Sequence, residues 1–290
     1  QSFSLLLNRF SLYKELAISR VFLAFSIVLL NITFGIYAVE GGLIFGTTVG
    51  TLLAFLLIFF TSYRVFEKKI FESDSKSEKK LSKDYINHPK HLTPSVVFGS
   101  TAEQIPIFIF FLFFDLKEAG FYAMATRVIY LPLTLIANAV GEVYRQEIFD
   151  AFKTKGSFEK IHYKTLRKTI LMALFIPILY PLLPLAFEIL LGEEWISAAQ
   201  YSQILLISLF FQFIITPLDK SSLLVGATTY IFFWQLSRFL LNLIVVASVH
   251  FFELTAVEYL YWLVAVNILM YLVEGYAQLQ FAKTKNTIKR

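Results

Sequence analysis

Val21 to Val39, Gly41 to Tyr63, Ile170 to Phe187 and Trp195 to Leu218 each run without an Asp, Glu, Lys or Arg. At ~1.5 Å of rise per residue, helices of this length cross the ~30 Å hydrocarbon layer of a bilayer. Backbone polar groups in lipid must find partners within the protein, which leaves only helices or a closed barrel. The period-two alternation of barrel strands is absent, so the spans are expected to be helices. Composition agrees, since 57% hydrophobic residues and 32 Phe leave too little polar surface for a soluble domain. The expected fold is an all-α, polytopic membrane helix bundle.

A net charge of +5 raises the question of a nucleic-acid partner. The Lys and Arg lie mainly between apolar spans, where the positive-inside bias accounts for them, so no nucleic acid is expected. The chain has no Cys, hence no disulfide, thiol nucleophile or Cys-based metal site.

In chain order, spans are expected at about residues 18–39, 41–66, 95–114, 120–141, 169–191, 195–217, 228–250 and 256–280. Gly42, Gly46 and Gly50 recur every fourth residue at the start of the second span, a small-residue face for close helix packing. Residues 67–94, with mixed charges, serines and two prolines, read as a solvated cytoplasmic linker. His88 and His91 within it have no supporting carboxylates and are read as loop residues. Pro177, Pro181 and Pro184 invite a bend in the fifth span. Of the 26 Lys and Arg, only Lys117 falls in the loops at 40–42, 115–120, 192–195 and 250–259. Placing those loops outside puts both ends of the chain in the cytoplasm, with an even count of eight spans.

The stretch from Gly120 to Phe152 carries the sharpest functional clue. At ~100° per residue, Arg127, Tyr130, Thr134, Asn138, Gly141 and Arg145 share one side, with Ile129, Leu133, Ile136 and Val140 opposite. Arg127 then sits roughly 10 Å below the membrane surface. A guanidinium at that depth must face protein, water or an anion rather than lipid. Glu103 in the third span and Arg238 in the seventh come out at roughly 12 to 15 Å depth, close enough to pair across a cavity as a gate or ion-coupling element. No catalytic residues, metal ligands or cofactor site are expected: the sequence shows no Ser/His/Asp arrangement, catalytic carboxylate pair, phosphate-cradling loop or metal cluster.

The segments LLNRFSLYKELAISR, GGLIFGTTVG, GFYAMATRVIYLPLTLIANAVGEVYRQE and LGEEWISAAQY resemble those of bacterial polysaccharide flippases, the exporters of lipid-linked oligosaccharide for O-antigen or capsule. Ala199 stands where those proteins often have Gly. Their fold is two six-helix lobes, similar to multidrug and toxic-compound extrusion transporters. The resemblance implies that residues 1–66 close an N-terminal lobe, that 67–94 link the lobes, that 95–290 form the C-terminal lobe, and that about four helices precede this chain. It also implies the substrate, an undecaprenyl-diphosphate-linked oligosaccharide flipped to the outer leaflet of the inner membrane by alternating access.

Arg supplies a bidentate fork for phosphate, which assigns Arg127 to the diphosphate or a charged sugar, with Tyr130, Thr134 and Asn138 extending the polar track. Expected partners are the lipid-linked oligosaccharide, membrane lipids and other polysaccharide assembly proteins. The alternatives are a multidrug or ion antiporter of the same fold, a flippase for lipid-linked peptidoglycan precursor, and an intramembrane glycosyltransferase or polymerase. The last usually needs a large outer loop or an acidic metal motif.

Overall fold

The computed structural model describes residues 12–37, 40–66 and 86–284. Among them the regular structure is helical throughout, and eight helical stretches are long and apolar enough to cross a membrane. The protein is an all-α, multi-pass membrane protein. It divides into two compact units, Gln1–Asp84 and Tyr85–Arg290.

The first unit is an antiparallel pair, α1 (Tyr13–Ile36) and α2 (Gly42–Phe66). Gly41 turns the chain between them with φ +69°. The glycine face does pack: a Cβ on Gly46 would fall 3.0 Å from the backbone nitrogen of Asn31, and one on Gly50 3.0 Å from the Cα of Ile27. Glycine is what lets the two backbones approach. The hydroxyls of Thr33, Thr47, Thr48 and Thr51 each donate to the carbonyl four residues back. They are thereby satisfied without water.

The second unit begins earlier than the sequence pattern suggests. Residues 67–85 of the expected linker lie outside the described residues, but 86–94 are not linker: α3 runs from Asn87 to Ile109 and continues as a π-turn, Phe110–Phe114. His88 and His91 are therefore helical. Pro89 is the third residue of α3, where no backbone N–H has an intrahelical acceptor, so the proline costs no bond there.

The long helix α4, Leu116–Lys155, opens on Asp115, whose side chain accepts from the Lys117 amide, and closes on Gly156 at φ +69°. Its 40 residues span ~60 Å, twice the hydrocarbon thickness, so its C-terminal part projects beyond the bilayer.

The expected fifth span is two helices, α5 (Glu159–Ala173) and α6 (Ile176–Leu191). The break at Leu174 and Phe175 comes just before Pro177, which cannot donate to the carbonyl of Ala173. Pro184 lies inside α6 and deprives the carbonyl of Tyr180 of its helical donor. Gln203 replaces it, donating Nε2 to Tyr180 O at 2.8 Å.

Gln203 belongs to α7 (Ile196–Ile215), the centre of the unit. In its span 61% of the most apolar window is buried, against at most 39% in any other span. Ala198, Ala199, Leu205 and Leu209 pack against α4, α6 and α10. The buried hydroxyls of Ser202 and Ser208 bond to carbonyls of their own helix. The remaining elements are α8 (Lys220–Leu224), α9 (Thr228–Phe252) and α10 (Ala256–Ala282). A capping box formed by Thr255 and Glu258 starts α10.

A second, smaller cluster lies where α4 ends and α8 begins. Ser221 Oγ donates to Leu218 O at 3.0 Å, so at 2.6 Å it accepts the Tyr144 hydroxyl proton. The Tyr144 oxygen in turn accepts from His162 Nδ1 at 2.7 Å. This buried chain fastens α4, α5 and α8 together.

Candidate functional site

α3 and α9 pack on each other along much of their length and touch the rest of the second unit more sparsely. Gly99 on α3 permits the contact, since a Cβ there would collide with the side chain of Gln235 at 2.7 Å. The crevice between this helix pair and the bundle of α4, α7 and α10 holds two cavities, of about 320 and 330 Å³.

The first cavity is bordered on α4 by Tyr122, Thr126, Tyr130 and Thr134. Their four-residue spacing puts all of them on one ridge of the helix. Across from them stand Glu103, Gln104 and Pro106 on α3, Gln212 on α7, Arg238 and Asn242 on α9, and Asn267 on α10. Pro106 leaves the carbonyl of Ala102, also on the cavity wall, without an amide donor four residues on. The threonine hydroxyls spend their protons on α4 itself: Thr126 donates to Ala123 O at 2.9 Å and Thr134 to Tyr130 O at 2.6 Å. Their lone pairs remain for the cavity.

The second cavity lies toward the end of the bundle where α4 and α10 finish and α9 starts. Asp219, Lys220, Tyr230, Trp234 and Glu274 border it. Glu274 is buried and accepts from the Tyr230 hydroxyl and from Gln278 Nε2, both at 2.5 Å. Trp234 Nε1 and Gln235 Oε1 are buried without a hydrogen-bond partner among the described residues.

Glu103, Gln212 and Arg238 border both cavities. Arg238 Nη1 lies 3.4 Å from Glu103 Oε1, and this ion pair stands in the wall between the two chambers. The arginine is the buried partner, its side chain 14% exposed against 62% for the glutamate. Its guanidinium also lies 5.8 Å from the Trp234 ring centroid. A single contact at that distance is looser than a bidentate fork.

The residues named from the α4 stripe separate. Tyr130 and Thr134 border the first cavity. Arg127 lies off that ridge and Asn138 continues it by one step past Thr134, and both are exposed on the surface of this unit. Gly141 is buried against Pro217, where a Cβ would fall 3.3 Å from the Cα of the proline, and Arg145 pairs with Glu142 at 2.6 Å. Among the described residues no ion pair or hydrogen bond engages the Arg127 guanidinium, and the partner of Glu103 is Arg238. Counted from Leu116, Arg127 is roughly 16 Å along the helix, deeper than the pattern alone suggests.

Tyr122, Thr126, Gln212, Asn242 and Asn267 escaped the sequence reading. Their common signal is one carboxamide or hydroxyl isolated in an apolar span. Such residues turn toward protein or water.

A family model for polysaccharide biosynthesis proteins matches residues 7–200, about two thirds of the chain. The chain belongs to the polysaccharide biosynthesis protein family. No curated protein and no solved structure matches it. The family match takes in all of α4, with Arg127, Tyr130 and Thr134, and the Glu103 side of the ion pair. The polysaccharide biosynthesis protein completes the crevice with Arg238, Asn242 and Asn267 from helices beyond the matched residues.

Proposed function

We propose that this polysaccharide biosynthesis protein is a transporter and not an enzyme. It moves undecaprenyl-diphosphate-linked oligosaccharide from the cytoplasmic to the outer leaflet of the bacterial inner membrane, for O-antigen or capsule synthesis. Both ends of the chain lie in the cytoplasm in this reading, and other polysaccharide assembly proteins supply and receive the cargo.

The observation that carries the reading is Arg127, an exposed guanidinium at membrane depth with no carboxylate partner among the described residues. A cation in that position is stable only beside water, protein or an anion. A diphosphate crossing the membrane meets that need and has the geometry of the guanidinium fork. Tyr130, Thr134 and Asn138 extend the polar surface from there. The pair Glu103–Arg238 acts as the gate: parting it joins the two chambers of the crevice, and closing it separates them. Alternating access follows from such two-state closure. A drug or ion antiporter of the same fold is the competing reading, favoured by the carboxylates of Asp219 and Glu274 on the second cavity.

The test is transport by the full-length protein in vesicles loaded with lipid-linked oligosaccharide, scored by the fraction open to a membrane-impermeant glycosidase. Arg127→Ala is expected to slow transfer by at least ~10-fold, about 1.4 kcal/mol on the barrier. Transfer at the normal rate, or efflux of a cationic dye in place of the glycolipid, would overturn the proposal.

A further inference from the structure

The first cavity collects one carboxamide from each of four helices: Gln104 from α3, Gln212 from α7, Asn242 from α9 and Asn267 from α10. Among the described residues the side chains of Gln104, Gln212 and Asn267 have no protein hydrogen-bond partner, so their donors and acceptors are free to meet a ligand. A carboxamide sets an acceptor and two donors side by side, which suits neighbouring hydroxyls or an acetamido group on a sugar ring. Opposite, Thr126 and Thr134 offer oxygen lone pairs, because their protons are already used on α4.

The same lining argues against other occupants. An apolar drug would leave these carboxamides dry and unpaired, at a cost of about 1–3 kcal/mol for each group. A diphosphate would find one guanidinium, already facing Glu103, and would be repelled by that carboxylate. A bare cation would find its carboxylate already paired with Arg238. At about 320 Å³ the cavity is at the small end of ligand sites, which span ~300–1000 Å³, so it takes a piece of an oligosaccharide and not the whole.

We infer that this cavity is a subsite for one uncharged, hydroxyl- or acetamido-bearing glycosyl unit of the cargo, separate from the diphosphate contact at Arg127. The inference rests on the flippase reading and adds where and how the sugar is read. The ion pair forms the wall of the subsite, so a bound sugar touches the gate directly.

These 290 residues hold no cysteine, so a thiol introduced among them is the one reactive site in this stretch, and labelling is read against the same protein without the substitution. Asn267→Cys, Gln104→Cys and Arg127→Cys are made one at a time in the full-length protein in nanodiscs, and the labelling rate by a small thiol reagent is followed. Two probes are compared: lipid-linked oligosaccharide extracted from producing cells, and undecaprenyl diphosphate without sugar. Glycolipid is expected to slow labelling of Asn267→Cys at least ~10-fold, with bare undecaprenyl diphosphate giving less than ~2-fold, while both lipids protect Arg127→Cys. Gln104→Cys gives the same readout from another helix should Asn267→Cys fail to fold. Protection of Arg127→Cys by both lipids, with the cavity cysteines protected by neither or equally by both, would overturn the sugar subsite and leave the flippase reading standing. Lack of protection at every position would take down both.

Discussion

Two regions of the second unit use the same membrane-spanning helices in opposite ways. Around α7 the polar groups are small and satisfied at home: Ser202 and Ser208 bond to their own helix, and Ala198 and Ala199 let neighbouring helices close in. In the crevice beside α3 and α9 the polar groups are carboxamides and an ion pair gathered around open space: Asn242 donates to Arg238 O of its own helix, while Gln104, Gln212 and Asn267 have no protein hydrogen-bond partner among the described residues. The buried serines of α7 thus serve the fold, as does Gln203 through its bond to Tyr180 O, while the unpartnered carboxamides of the crevice are left for what passes beside them. The difference predicts that damage to the first region appears as lost stability, and damage to the second as lost transport.

The largest expected effect on stability lies in the core. Leu205→Ala, at a side chain 1% exposed, should cost about 2–5 kcal/mol, read as a lower unfolding temperature in detergent. Asn267→Leu, on the crevice wall, should leave that temperature nearly unchanged while transport falls. Equal losses of stability from the two would erase the distinction.

Next in size is Gly50→Leu on α2. With backbone atoms of Ile27 3.0 Å from its Cβ position, the new side chain forces the α1–α2 pair apart, at about 1–3 kcal/mol. Chain yield and thermal stability would report it.

The smallest effect is also the most specific. Gln203→Ala should cost about 1 kcal/mol by leaving Tyr180 O without a donor, and Pro184→Ala in the same chain should recover it, because residue 184 regains its own N–H. A double variant no more stable than Gln203→Ala alone would show that the glutamine does not stand in for the missing amide.

Much of this was legible beforehand because membrane insertion is governed by length and charge. The eighth span, expected at about 256–280, is Ala256–Ala282, and the seventh, at 228–250, is Thr228–Phe252. The linker read from mixed charges, serines and two prolines ran too far: Pro89 sits in a first turn that has no bond to lose, Pro94 is held inside the helix, and α3 begins at Asn87. In the fifth span a bend was expected where the chain breaks fully before Pro177.

At the site, depth along the chain brought Glu103 and Arg238 to one level, and they are in contact. Rotation about α4 was harder to read. Tyr130 and Arg127 are only three residues apart, yet one borders the cavity and the other lies outside its lining, because the cavity follows the four-residue ridge from Tyr122 to Thr134. The partners across the crevice come from α7, α9 and α10, and only tertiary packing brings Gln212, Asn242 and Asn267 to one place.

The claim that the crevice serves passage and not folding is tested most directly by removing both charges of its ion pair. The glutamate of this pair is exposed, so solvent screens the interaction and it adds little to stability. The Glu103→Gln, Arg238→Gln double variant should therefore unfold at the temperature of the parent, while its rate of lipid-linked oligosaccharide transfer falls at least ~10-fold. An undiminished transfer rate, or a transfer loss that only follows a fall in unfolding temperature, would contradict it.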